Sequence, residues 1–192
     1  MKKSVVLASG SRYRQELLTR LLDKFDCCPP DVDEDVVKQS GLSPSATAEE
    51  LARRKAAWAA TKYPDRVIIG SDQLVDLEGR ILGKPGTAER ARSQLAMLSG
   101  RPHRLLTAVC VRGPERSIEF LDTTTLWMRN LTMGEIAACV ERDQPLDCAG
   151  SYRIEGRSIS LFERIDCSDQ SAIMGLPLLK LSAVLRDFGV DF

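Results

Sequence analysis

The sequence predicts an α/β fold: an elongated, mixed central sheet flanked by helices. Three observations carry this. Short apolar runs of strand length alternate with segments of helical period along the chain. Two long strands, about Arg104–Val111 and Ser117–Met128, follow one another around Gly113-Pro114, which belongs to a mixed sheet rather than a purely parallel one. The 192 residues contain no repeat, linker or low-complexity segment, so one domain over 1–192 is expected.

Val5-Val6-Leu7-Ala8 reads as a buried first strand that passes through Ser9-Gly10-Ser11 into a helix. From Arg14 to Phe25 the apolar positions 17, 18, 21, 22 and 25 keep helical spacing, with Ser11 as N-cap. "PPDVDED", Pro29 to Asp35, reads as an acidic loop. A second helix is predicted from about Thr47 to Lys62, with Thr47 and Glu50 spaced as a capping box. Its apolar face holds Ala48, Leu51, Ala52, Trp58 and Ala59.

Val67-Ile68-Ile69 reads as a buried strand ending at Gly70-Ser71-Asp72-Gln73. Glu78-Gly79 marks a hairpin between Leu74–Leu77 and Arg80–Leu82, and Gly83-Lys84-Pro85 ends it. A helix from about Thr87 to Leu98 stops at Gly100. Thr132 and Glu135 are spaced as a capping box for a short helix to about Arg142. "CAGSYRIEGRSISLFERI" reads as loop then strand, and "GLPLLKLSAVLRDF" as a tight turn and closing helix.

Composition excludes several classes. Lys+Arg and Asp+Glu are both 27, so the chain is neutral and not a general nucleic-acid or acidic-membrane binder. Its longest apolar runs are about five residues, too short to span a membrane. "MKKSVVLASGS" starts basic and then apolar, but arginines follow too soon for a signal peptide, and a cytoplasmic protein is expected. Of the six cysteines, none forms a C-x-x-C pair, and one histidine cannot complete a zinc quartet. Cys110 and Cys139 lie in apolar patterns and read as core thiols; His103 lies in the loop-like "SGRPHR".

The chemistry-bearing groups cluster at strand ends and turns. Backbone N–H groups at the first helix's start, the Ser9 and Ser11 hydroxyls and the Arg14 fork together suit a phosphate. An arginine pair beside an ordinary cap explains the same residues. Asp72 follows a buried strand, where a carboxylate can ligate Mg²⁺ or take a proton from water; an Asx turn is the bland alternative. Lys55 shares an apolar helix face, four residues after Leu51, and either snorkels to the rim or points at a polar site. Lys84, between Gly83 and Pro85, offers a point charge for phosphate. These groups point to phosphoanhydride chemistry. They do not separate a hydrolase from a kinase-like transferase.

Seven segments in order, "LASGSRYRQELL", "DVDE", "ELARRKA", "IIGSDQ", "GKP", "CAGSYRIEG" and "GLPL", resemble the Maf family of nucleoside triphosphate pyrophosphatases, from Leu7 to about Leu181. The resemblance implies two lobes with a central cleft. It also implies hydrolysis between the α- and β-phosphates that depends on a divalent cation (Mg²⁺, Mn²⁺ or Co²⁺). It makes Asp72 the general base, places Glu34 with Asp72 on the metal, and puts Ser9, Ser11, Arg14, Lys55 and Lys84 on the phosphates. The family's commoner form has S-P-R-R, G-S-D-T and a late Gln-Gly where this chain has Tyr13, Gln73 and Glu155. Those three resemble the subfamily acting on 7-methyl-GTP.

N7-methylation makes guanine a cation, which an aromatic face attracts by roughly 0.5–2 kcal/mol and which a carboxylate favours. An arginine at position 13 would repel it. The alternatives are a dTTP or UTP pyrophosphatase, and a nucleotide-binding regulator of septum formation with little turnover. A homodimer is a further expectation of the resemblance. Two departures stand out: Arg12 replaces a usual proline, and Ser158 a usual second glycine.

Overall fold

The computed structural model describes residues 3–192. In chain order the elements are β1 (Val5–Ala8), α1 (Arg12–Leu18), β2 (Asp26–Cys27), α2 (Glu34–Lys38), α3 (Pro44–Ala60), β3 (Val67–Leu77), β4 (Arg80–Leu82), α4 (Ala88–Leu98), β5 (Pro102–Arg112), β6 (Ser117–Met128), α5 (Met133–Asp143), β7 (Phe162–Asp166) and α6 (Leu178–Asp187). Short 3₁₀ turns occupy Ala149–Ser151, Arg157–Leu161 and Gln170–Met174.

The strands form one seven-stranded mixed sheet in the order β2-β1-β3-β5-β6-β7, with β4 paired to β3. β1 runs parallel to β2 and to β3, with Val5 opposite Val67 and Ala8 opposite Gly70. The β3–β4 and β6–β7 pairs are antiparallel. Glu78 and Gly79 both have positive φ, the backbone that a tight hairpin between β3 and β4 requires.

The chain divides into two compact units. The first holds the residues up to Gln73 with Thr107–Asp122 and Asp169–Phe192; the second holds Leu74–Leu106 and Thr123–Ser168. In the first unit Val5 and Leu7 of β1, Val67 and Ile69 of β3 and Val109 and Val111 of β5 pack with Leu17 and Leu18 of α1 and Leu181, Leu185 and Phe188 of α6. Strand alternation sends Val6, Ile68 and Gly70 to the opposite face, where α3 lies. In the second unit α4 packs on α5, burying Leu95, Leu98, Ile136 and Val140.

Most elements match the sequence reading, and the differences have local causes. The first helix stops at Leu18 rather than Phe25, because Asp26–Cys27 leaves helical geometry to pair with β1. The acidic stretch is not all loop: Asp33 Oδ1 accepts from the Asp35 and Val36 N–H groups and caps α2. The α3 cap is Ser43, with Pro44 in the first turn, so the Thr47–Glu50 capping box is not made. Thr47 lies inside the helix and donates its hydroxyl to the Ser43 carbonyl. The Thr132–Glu135 capping box at α5 is present. β3 does not end at Gly70 but runs on through Asp72 to Leu77. His103 is not in a loop but in β5, buried, with Nε2 2.9 Å from the Tyr152 hydroxyl. Cys110 and Cys139 are buried, and all six cysteines are unpaired thiols.

Candidate active site

The strand period organises the site. On β3, Gly70 and Asp72 share the face toward α3, while Ser71 and Gln73 share the other. Gly70 allows α3 to come close: a Cβ there would stand 2.4 Å from the Ala52 carbonyl oxygen and 2.6 Å from the Ala56 nitrogen. With the backbones this near, Lys55 reaches Asp72.

Lys55 does not snorkel outward. It is 7% exposed, and its Nζ lies 2.6 Å from Asp72 Oδ1 and 2.6 Å from Glu34 Oε1. Thr47, Leu51, Lys55 and Ala59 share α3's buried face, so the ammonium emerges from an otherwise apolar stripe. Asp72 is 5% exposed, and its Oδ2 has no hydrogen-bond partner among the described residues. Burial raises the Asp72 pKa, while Lys55 and then Arg14 act against that rise.

Glu34 opens α2 and also pairs with Lys38 one turn on, at 2.7 Å. Burial would raise its pKa, but Lys38 and Lys55 outweigh burial and hold it down to about 2. Two carboxylates thus share one ammonium. Among the described residues no group of three or more His, Cys, Asp and Glu is suited to a metal ion. A carboxylate pair with one open oxygen nevertheless fits Mg²⁺, which takes one or two protein carboxylates and completes its shell with phosphate oxygens and water.

The Ser9–Ser11 turn and α1 carry the groups that the sequence leads one to expect on an anion. Ser9 Oγ accepts from the Ser11 N–H at 3.1 Å and from Arg14 Nη1 at 3.4 Å, and Ser11 caps α1 through the Arg14 N–H. α1 has only seven residues. Arg14 Nε donates to the Gly175 carbonyl at 2.9 Å. Tyr13 is half-buried, about 100° around the helix from Arg14. Arg12 is exposed. Gln73 is the one half-exposed residue of β3. Its Nε2 donates to the Ala172 carbonyl at 2.8 Å and lies near the Ile173 carbonyl and Thr107 Oγ1.

Lys84 and Glu155 belong to the second unit, and both are exposed. Lys84 sits between Gly83 and the buried Pro85; a side chain on Gly83 would meet open space, so no contact within the chain demands glycine there. The Gly83 carbonyl accepts from Gln94 Nε2 at 2.9 Å, and Gln94 Oε1 accepts from Ser151 at 2.6 Å, which ties the Lys84 turn to the Ala149–Ser151 turn. Ser158 is buried; its hydroxyl donates to Asp143 Oδ2 at 2.7 Å and lies 3.5 Å from Cys139 Sγ. A glycine could make neither contact.

The structure therefore gathers Ser9, Ser11, Arg14, Glu34, Lys55, Asp72 and Gln73 within the first unit. Sequence reasoning missed Lys38, Gly70, Ser71, Thr107 and Gly175. The Glu34–Lys38 spacing of four was a legible helix pair. Nothing in the sequence marks the long-range contacts of Thr107 or Gly175.

Residues 4–188 match the family described as Maf-like protein. The chain is 46% identical over 186 residues, 97% of either chain, to the 7-methyl-GTP pyrophosphatase of Bdellovibrio bacteriovorus. It is 48% identical over 189 residues, 98% of either chain, to the protein of that name in one strain of Xanthomonas oryzae. Against the Xanthomonas axonopodis protein of the same name it is 49% identical over 185 residues, 96% of either chain.

Proposed function

The chain belongs to the Maf family, and from that premise we propose that it hydrolyses 7-methyl-GTP between the α- and β-phosphates, releasing 7-methyl-GMP and pyrophosphate. It is a hydrolase of a phosphoanhydride, and its role is to remove a modified nucleotide from the cytoplasmic pool. One observation supports the mechanism above the others: a buried aspartate holds one oxygen on an ammonium and keeps the other open.

In this reading a water attacks the α-phosphorus and Asp72 Oδ2 takes its proton. The α–β bridging bond breaks, and its electron pair leaves with pyrophosphate. Lys55 fixes the rotamer of Asp72, so the base stays aimed. The ammonium has three donors and uses two on carboxylates, which leaves one for a phosphate oxygen. Arg14 adds a forked cation, and Ser9 and Ser11 add hydroxyls. Glu34 and Asp72 would hold the divalent cation; when bound, it offsets charge on the departing pyrophosphate. Tyr13 would stack on the cationic base. Lys84 and Glu155 take their phosphate and base roles from the resemblance, as does Gln73.

The test is pyrophosphate release by the protein and its Asp72→Ala variant with Mg²⁺, Mn²⁺ or Co²⁺ and 7-methyl-GTP, GTP, dTTP, UTP or CTP. The expected result is fast cleavage of 7-methyl-GTP alone, lost in the variant. Faster cleavage of dTTP or UTP would keep the chemistry and discard the base assignment. No cleavage with any metal would leave a nucleotide-binding regulator as the reading.

A further inference from the structure

Two exposed residues of the second unit, Lys84 and Glu155, sit on backbone segments that meet at one side chain, Gln94 of α4. The amide nitrogen of Gln94 donates to the Gly83 carbonyl at 2.9 Å, and its oxygen accepts from the Ser151 hydroxyl at 2.6 Å. A carbonyl only accepts, so the nitrogen must face Gly83, and the oxygen is left for Ser151. Both ends of this half-buried amide are used, each on a different turn. A backbone bond runs alongside: the Gly86 N–H donates to the Leu146 carbonyl at 3.0 Å.

The Ser151 end is held at a cost. Ser151 is buried and has a φ of +64°, a left-handed backbone that glycine adopts more easily than serine. Glycine there would lack the hydroxyl that reaches Gln94. Tyr152 comes next and is also buried. Its hydroxyl lies 2.9 Å from His103 Nε2, and its ring meets the Phe162 ring edge-on with centroids 5.0 Å apart. The Gly156 N–H then closes a turn on the Arg153 carbonyl at 3.1 Å, with Glu155 inside it. The segment is thus anchored at 151 and 152 and exposes Glu155 three residues on.

An exposed charge on a loose turn samples many positions, and binding must pay to order it. A braced backbone removes part of that cost beforehand. We infer that Gln94 is a positioning residue for both Lys84 and Glu155: its nitrogen fixes the turn that presents Lys84 to a phosphate, and its oxygen, through Ser151, fixes the segment that presents Glu155 to the base. This rests on the proposed roles of Lys84 and Glu155. The two ends of the amide differ chemically, so their effects separate by substitution.

Two readouts report the two ends without turnover. Pyrophosphate with Mg²⁺ reports the phosphate end, and the ratio of the GMP to the 7-methyl-GMP dissociation constant reports the base end. Both are measured calorimetrically on the wild type, Gln94→Ala, Gln94→Glu, Ser151→Gly, Lys84→Ala, Glu155→Gln and the Gln94→Ala/Lys84→Ala double variant, after urea unfolding has shown each to be folded. Gln94→Ala is expected to weaken pyrophosphate by ~3- to 10-fold and to lower the ratio by a similar factor. Gln94→Glu keeps an acceptor for Ser151 but has no donor for Gly83, so it is expected to weaken pyrophosphate and keep the ratio. Ser151→Gly suits the left-handed backbone but has no hydroxyl, so it is expected to lower the ratio and keep pyrophosphate binding. In the Lys84→Ala background Gln94→Ala is expected to weaken pyrophosphate no further. Should Gln94→Ala not fold, the crossed pattern of Gln94→Glu and Ser151→Gly decides. A lower urea midpoint with both readouts unchanged, the same readout moving in both of those variants, or additive losses in the double variant overturns the inference and leaves Gln94 a contact of the fold. If Lys84→Ala and Glu155→Gln leave their own readouts unchanged, the proposed roles of those two residues fail, and the inference falls with them.

Discussion

Gly70 of β3 lies so close beneath Ala56 of α3 that a methyl group on the glycine would stand 2.6 Å from the Ala56 nitrogen and 2.8 Å from its Cβ. The obstacle is backbone, which cannot swing aside as a side-chain tip can. This close approach carries Lys55 to Asp72. Gly70→Ala is expected to lower stability by about 1–3 kcal/mol, the usual range for overpacking. It should also cost turnover, because α3 must lift from β3. Urea midpoints and kcat for the same preparation test both effects; an unchanged midpoint would show that the contact is loose.

In its proposed role Asp72 is a base only when ionised. Burial raises its pKa, so the carboxylate takes up its proton at a higher pH than the ordinary value of about 3.9, and activity is expected to fall as pH drops through that raised pKa. Lys55 is the largest influence holding the rise back. Lys55→Ala is therefore expected to move the acid limb of kcat/KM to still higher pH, and Lys55→Arg to move it less. Asp72→Asn is expected to lose about 10²–10⁴-fold at every pH. An acid limb that stays fixed in Lys55→Ala removes Asp72 from the role.

How much of this was legible before the structure depended on sequence distance. Ser11 as the α1 cap, the Thr132–Glu135 capping box and the hairpin at Glu78-Gly79 follow from neighbours a few residues apart, and all three are present. The Thr47–Glu50 box had the same spacing, but Ser43 and Pro44 begin the helix a turn earlier. Asp72 read as a strand end because Gly-Ser-Asp-Gln is polar. In the sheet Gly70 and Asp72 face α3 on one side, and Ser71 and the half-buried Gln73 meet a loop a hundred residues later on the other. Lys55 left two readings open because a lysine on an apolar face does not reveal its partner. Its partners are Glu34 and Asp72, 21 residues before it and 17 after it.

His103 offers a stability test apart from the chemistry. Burial lowers its pKa from 6.5 to about 4, with the Arg101 backbone acting the other way. Between those values the unfolded chain binds a proton that the folded chain does not. Stability is thus full above about pH 6.5 and is lost as pH falls toward 4, by on the order of 3 kcal/mol for this residue. His103→Gln keeps a polar partner for Tyr152 and does not titrate. The fall in urea midpoint between pH 7 and pH 5 is expected to be smaller in that variant than in the wild type.

The divalent cation is expected to need Glu34. Its carboxyl, held down to about 2, stays ionised at any working pH. Glu34→Gln is expected to weaken Mn²⁺ binding in the presence of pyrophosphate by ~10-fold or more, read by electron paramagnetic resonance of the bound ion. Lys38→Ala, which removes only a partly exposed ion pair, is expected to change it little. Equal Mn²⁺ affinity in wild type and Glu34→Gln would take Glu34 off the metal.

Base choice is the most demanding prediction, because the competing substrates share every phosphate. 7-methyl-GTP and GTP differ by one methyl group and the positive charge it brings. The proposed phosphate grip of Arg14, Lys55 and Ser9 would not tell them apart; the difference would have to come from groups that respond to charge on the base. The resemblance assigns this to Tyr13, an aromatic residue beside Arg14 on α1, and to the carboxylate of Glu155. A cation on an aromatic face gains roughly 0.5–2 kcal/mol, which corresponds to about 2- to 30-fold in relative kcat/KM. Tyr13→Leu is expected to reduce the preference for 7-methyl-GTP over GTP within that range while leaving kcat/KM on GTP nearly unchanged. Tyr13→Arg is expected to reduce it further, since a like charge repels the methylated base. Glu155→Gln keeps the size of the side chain and removes only its charge, so it is expected to lower the ratio in the same direction. The measurement is the ratio of the two kcat/KM values for each variant; a fall on both nucleotides together would make Tyr13 and Glu155 supports of the fold rather than readers of the base.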